Sequence, residues 1–233
     1  MIDRYVALDI ETTGLNPSTD RIIEVGMARV EEGIVTESYS TLVYPGINVS
    51  ERIEELTGIC NEDLIGKPRI EDVIGNIVEF IGDWPILGHN VIFDYSFLKK
   101  AAINAGLTIN DDGIDTLKIA RRLVPEAEHK SLTFLCEYFN INPGRSHRAY
   151  DDAISASMLY SAMKKLNPED SGFKETTKLV YSVKKDTPVT QAQKRYLQAL
   201  VSKHNLKLEI PIEEMTKSMA SRQIDTIIAQ YGK

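Results

Sequence analysis

The stretch YVALDIETTG, residues 5–14, opens with four apolar residues and then sets two carboxylates, Asp9 and Glu11, on either side of Ile10. Enrichment in β-branched, aromatic and aliphatic residues makes Tyr5–Leu8 a strand. Side chains alternate along a strand, so Asp9 and Glu11 share a face about 6–7 Å apart. Two like charges beside a buried strand repel each other and are costly to desolvate unless a cation neutralises them. Mg²⁺ and Mn²⁺ take such oxygen ligands. Taken alone, an Asp-x-Glu pair is better read as solvated acids at a strand end; the Thr12-Thr13-Gly14 that follows weighs toward a built site.

Working outward, β-type composition runs from Arg4 to Leu8 and again from Arg21 to Val43, with Glu32-Gly33 placed as a turn, giving three early strands. Ser50–Thr57 reads as a helix that Ser50 caps and Gly58 ends. Ile70–Ile81 carries apolar residues at 70, 73, 74, 77, 78 and 81, a helical spacing. After Trp84-Pro85, Ile86-Leu87-Gly88 reads as a further strand, and 94–105, 115–123, 131–139 and 149–166 show helical periodicity. Strands alternating with helices predict an α/β domain over residues 1–167.

Residues 168–189 mix loop formers and charge around a weak β-like stretch at Leu179–Val183 and are expected to be a linker. Residues 190–233 form a small helical module. Thr190 and Gln193 make a capping box, and Tyr196, Leu197, Leu200 and Val201 an apolar stripe. A final helix is expected from about Lys217 to Ala229, with Met219, Ile224, Ile227 and Ile228 turned inward. No motif in this module names a chemistry. It is expected to be a helical packing or protein-contact module, with nucleic-acid binding by Lys194, Arg195, Lys203 and Lys207 the other reading.

The net charge of −7 conceals an asymmetry. Residues 1–170 hold 28 acidic and 16 basic side chains, whereas 171–233 hold 6 and 11. An acidic first part suits cation binding and a basic second part attraction to phosphate. No stretch approaches the ~20 apolar residues of a membrane span, and the start lacks the long apolar run of a secretory signal, so a cytoplasmic protein is expected. Cys60 and Cys136, far apart and outside any C-x-x-C motif, are expected to be reduced, buried structural thiols.

Two further motifs carry chemistry. In H-N-x-x-F-D, Asp94 precedes Phe97, Leu98, Ala101 and Ala105 by three, four, seven and eleven residues, which sets it on the buried stripe of its helix. An acid at that position needs either a capping role or a ligand. In H-R-A-Y-D-D-A, neighbouring aspartates point about 100° apart, so only one faces any given site. Asp152 shares its face with Ala149, Ala153, Ala156, Leu159 and Met163; Asp151 goes with Ser155 and is expected to be wetter. His147 lies too far back for that face and is placed in the preceding loop.

Together, D-I-E-T-T-G, H-N-x-x-F-D and H-R-A-Y-D-D-A, with RIIEVG at 21–26, LTGI at 56–59 and DTL at 115–117, resemble the DEDD family of 3′-to-5′ exonucleases. The subgroup is the one with a catalytic histidine, which includes the proofreading epsilon subunit of bacterial DNA polymerase III. The resemblance covers about residues 1–166. It implies a ribonuclease H-like mixed sheet flanked by helices, two divalent cations (Mg²⁺ or Mn²⁺) held by Asp9, Glu11, Asp94 and Asp152, and His147 as general base. It further implies that Thr12, Thr13, Gly14 and Leu15 line the pocket for a terminal nucleotide, with His89, Asn90 and Phe93 shaping it. The implied substrate is the 3′ end of single-stranded DNA or RNA; the C-terminal module lies outside the resemblance and is expected to contact a replication or repair protein. An adaptor that keeps the fold without catalysis is the alternative, which the presence of all five catalytic positions disfavours.

Overall fold

The computed structural model describes residues 1–142, 147–208 and 210–232 of the 233. A six-stranded sheet is built from β1 (Arg4–Thr12), β2 (Ile22–Glu31), β3 (Ile34–Leu42), β4 (Ile86–Gly88), β5 (Asp112–Asp115) and β6 (Thr177–Lys178), in the order β3-β2-β1-β4-β5-β6. The first three strands are an antiparallel meander, β4 and β5 run parallel to β1, and β6 closes the edge antiparallel. The three early strands and their turn lie where the sequence pattern puts them, with Glu32 and Gly33 both at positive φ.

The helices are α1 (Glu51–Thr57), α2 (Asn61–Leu64), α3 (Ile70–Ile81), α4 (Ile92–Ala105), α5 (Thr116–Leu123), α6 (Leu132–Tyr138) and α7 (Ala149–Leu166). Period-two alternation along β1 divides the core. Val6, Leu8 and Ile10 face one cluster with Ile74, Ile77 and Leu98 of α3 and α4. Tyr5 and Ala7 face the other, with Ala153, Ala156 and Leu159 of α7. By the same alternation Asp9 and Glu11 fall on the α7 face.

Several expectations are corrected. The ladder to β4 makes Asp112–Asp115 a strand that its charged, four-residue sequence does not announce, so helix α5 starts after Asp115 and not at it. Residues 168–189 are not free linker: β6 pairs with β5, and Phe173 and Leu179 are buried in the two sheet cores. Gly113 permits this, since a Cβ there would sit 2.5 Å from the Leu179 side chain. Ser50 occupies the cap position of α1 without bonding through its hydroxyl. Ala105 is exposed at the end of α4, where the helix leaves the core, and Ser155 is buried on α7. Cys60 is half-buried with its thiol donating to Asp63 at 3.0 Å, while Cys136 is buried; both are free.

The C-terminal module has its own apolar cluster between α8 (Gln191–His204) and α9 (Lys217–Tyr231), including Leu197, Leu200, Ile224 and Ile227. Tyr196, expected on the inward stripe, is exposed, because Leu197 and Leu200 already fill the two-helix contact. The Thr190–Gln193 capping box is formed. No described helix is long and apolar enough to cross a membrane.

Candidate active site

The C-terminal end of β1 presents Asp9 and Glu11 toward α7, so the position of α7 decides what meets them. Two residues of β2 set that position. Gly26 lies directly beneath the helix start: a Cβ there would be 2.1 Å from the Tyr150 backbone nitrogen, which only glycine tolerates. Glu24, 2% exposed, accepts from Arg148 Nε at 3.1 Å and Nη2 at 2.8 Å and from the Ala149 amide at 3.0 Å. A buried carboxylate thus satisfies an otherwise orphaned N–H of the first turn and ion-pairs the residue before it. Pinned in this way, α7 delivers Asp152 one turn in and His147 just before its start.

His147 is exposed and held at a φ of +63°, and its amide donates to Asp152 Oδ2 at 2.9 Å. Ligand atoms of Glu11, His147 and Asp152 all lie within 4.8 Å of one another. Asp94, 3% exposed, enters from α4, where its Oδ1 accepts from the Ile10 amide at 3.1 Å. That bond ties the start of α4 to β1 between Asp9 and Glu11. The sequence therefore placed the acids on the right elements, and the structure brings all four to one strand end beside His147.

Their mutual repulsion shows in their protonation. Burial, then the charges of Asp94, Glu11, Asp152 and Glu24, hold the Asp9 carboxyl well above the usual range. Burial and the charges of Asp152, Glu24 and Asp94 push Glu11 up to about 8. Asp94 is also raised to about 8, mainly by burial and against the Ile10 hydrogen bond. Asp152 is raised by burial, opposed by His147. Such a group ionises fully only when positive charge is supplied.

The segment after Glu11 is a built loop. Buried Thr12 donates its hydroxyl to the Gly14 carbonyl at 2.6 Å, and Thr13 Oγ1 accepts from the Arg21 amide at 2.9 Å. Gly14 lies against Asp20, whose carboxylate accepts from the Asn16 amide at 2.8 Å. Leu15 projects from this loop at 83% exposure. Phe93 is half-buried with its ring 5.2 Å from that of Phe97, and Asn90 is exposed at positive φ. His89 departs from expectation: both ring nitrogens are occupied by the fold, Nδ1 with Thr116 Oγ1 at 2.9 Å and Nε2 with the Lys130 carbonyl at 2.7 Å. Its role is to anchor the β4–α4 connection, leaving no ring nitrogen for a ligand.

Sequence reasoning missed the supports: Glu24 and Arg148, and Asp115, whose buried carboxylate accepts from the amides of Asn90, Leu117 and Lys118. Their signal was available, since Glu24 interrupts an otherwise apolar run at an inward position.

The sequence profile of the RNase T exonuclease family matches residues 6–160, a span containing all these side chains. The chain belongs to this exonuclease family. Within it, it falls in the DEDD group of 3′-to-5′ exonucleases, hydrolases of phosphodiester bonds. The DNA polymerase III subunit epsilon of Aquifex aeolicus (strain VF5) is 38% identical over 157 residues, 67% of this chain and 78% of that protein. The PolC-type DNA polymerase III of Clostridium perfringens (strain 13 / Type A) is 36% identical over 168 residues. That alignment takes in 72% of this chain and 12% of the polymerase, so the chain spans a small part of the PolC-type relative's length.

Among solved structures, Exonuclease X in complex with 5′-overhanging duplex DNA superposes with a TM-score of 0.55 at 28% identity, over 72% of this chain and 93% of that one. The nuclease domain of 3′hExo, a DEDDh family member bound to rAMP, superposes at 0.61 over 71% and 93%; at 19% identity it speaks for the fold alone. That fold is the ribonuclease H-like exonuclease sheet. Exonucleases of this family use divalent metal ions, and the carboxylate and imidazole donors gathered here fit such ions.

Proposed function

We propose that this protein removes nucleotides from the 3′ end of single-stranded DNA or RNA, releasing nucleoside 5′-monophosphates with the help of two Mg²⁺ or Mn²⁺ ions. The observation that carries this reading is the convergence of Asp9, Glu11, Asp94 and Asp152 at one strand end, with the His147 ring beside Glu11 and Asp152. Bound by these acids, the cations would supply Lewis acidity that eases deprotonation of the attacking water and steadies the departing 3′ oxygen. Asp9 and Glu11 come from a buried strand and Asp94 and Asp152 from helices fastened to it, so the ligand oxygens are fixed before substrate arrives. His147, exposed at the mouth, accepts the water proton; such general-base help is typically worth about 10²–10⁴-fold. The Thr12–Leu15 loop receives the terminal nucleotide, with the exposed Leu15 available to an unstacked base and Phe93 as part of the wall. The C-terminal module is proposed to contact a replication or repair protein.

The test is a 5′-labelled single strand of DNA and one of RNA, each incubated with the protein and Mg²⁺ or Mn²⁺. A ladder of shortened products that keep the label is expected, and Asp9→Ala should abolish it. Failure to shorten either strand with either cation would end this reading.

The raised carboxyls give a second expectation. Folded-state pKa values near 8 for Glu11 and Asp94 lie above those of the unfolded chain, so the folded protein binds protons that the unfolded chain has released. Without cations, this cluster's contribution to stability falls as pH rises from about 4 to about 8. Cations that bind the ionised cluster reverse the loss. The gain in Tm from Mn²⁺ over EDTA should therefore grow from pH 5 to pH 8; a gain that shrinks over that range would contradict the assignment.

A further inference from the structure

A recess of about 500 Å³ opens where α4, the segment 181–187 and the start of α9 meet. Its rim carries Lys184, Lys185 and Lys217, together with the hydroxyls of Ser18 and Ser218. Among the described residues none of these three lysines is ion-paired. The one acid in the wall, Asp186, is already neutralised: Lys100 bonds it at 2.6 Å, and Asn104 holds it through both side chain and backbone. The recess therefore carries an excess of three positive charges on a chain whose net charge is −7. The positive end of the α9 dipole adds to the same field.

Its location relates it to the active site. Lys100 follows Asp94 by six residues on α4, an axial distance of about 9 Å at 1.5 Å per residue. Ser18 belongs to the loop that follows Glu11 and is closed by the Thr13–Arg21 pairing. The recess and the active site thus share helix α4 and the loop after β1.

We propose that this recess, formed jointly by the exonuclease domain and the C-terminal module, binds the phosphodiester backbone of the strand being digested. The proposal rests on the exonuclease reading above and adds the strand's path and the module's part in it. Lysines and hydroxyls beside Tyr181 and Val183 suit a flexible polyanion, read as charge and not as sequence. Elsewhere the first 170 residues, with their acidic excess, repel one.

The experiment compares the full chain with a Lys184→Gln, Lys185→Gln, Lys217→Gln triple variant on two substrates. Thymidine 5′-(p-nitrophenyl phosphate) reaches only the active site, and its hydrolysis should be unchanged. For a 5′-labelled strand of about 20 nucleotides, KM should rise about tenfold at low salt. The salt dependence of that KM should flatten by about 2 in log–log slope, from about 0.7 for each of three phosphate contacts. If the small substrate is cleaved but the strand's KM and salt slope do not move, the recess is not on the strand's path. If inorganic phosphate inhibition is lost in the variant while the strand's KM is unchanged, the recess binds free anions and the proposal is overturned. If the unaltered protein cleaves neither substrate, the exonuclease reading fails first and takes this one with it.

Discussion

Asp94→Asn should lower kcat by about 10²–10³-fold, the scale seen when one preorganised electrostatic group is removed from a site, without destabilising the protein. The asparagine carbonyl oxygen can still accept from the Ile10 amide, so the bond that ties α4 to β1 survives. What disappears is a charge that burial and neighbouring acids already oppose. In EDTA at pH 8, where the native carboxyl is being forced to ionise, the variant's Tm should equal or exceed that of the parent. Activity and stability thus move apart, which loss of a purely structural acid would not produce. Kinetics on a labelled strand and a thermal melt in EDTA give both numbers. Retention of more than a tenth of the parent's kcat would remove Asp94 from the chemistry.

Gly26→Ala should harm the site without touching it. The added methyl would meet the backbone of Ala149 and Tyr150 at 2.1–2.4 Å, and no flexible side chain is there to swing aside. Ordinary contact distances require the start of α7 to retreat by more than about 1 Å. Overpacking of this kind destabilises by about 1–3 kcal/mol. A displacement of that size in Asp152 and His147 lowers turnover by about 10²-fold. The Glu24 contact to Ala149 and Arg148 would lengthen with it, so the cation concentration needed for half-maximal rate should rise as well. Normal kcat and Tm in a soluble variant would show that α7 does not depend on this close approach.

Read side by side, the two substitutions mark what was legible in the chain and what was not. Asp94 was recognisable because an acid on the apolar stripe of a helix conflicts with its neighbours, and such a conflict is visible in one dimension. The importance of Gly26 was not, because a strand glycine looks the same whether solvent or a helix backbone lies above it. His89 shows the opposite error. It adjoins Asn90 and stands five residues before Asp94, yet its ring nitrogens belong to Thr116 and Lys130, residues 27 and 41 positions away. Strand β5 was missed for a related reason: four residues with two aspartates become a strand only because β4 and β6 supply the ladders.

The sequence by itself determined the period of each long element, the shared face of Asp9 and Glu11, and the family to which the motifs belong. These follow from local geometry, since backbone periodicity fixes which side chains share a face wherever the element is later packed. Only the tertiary structure decided that the four acids and His147 meet, that Glu24 and Gly26 set the helix that brings two of them, and that residues 168–189 help close the sheet. Those facts are distances between parts of the chain far apart in sequence, and packing between elements, not the pattern within any one of them, sets such distances.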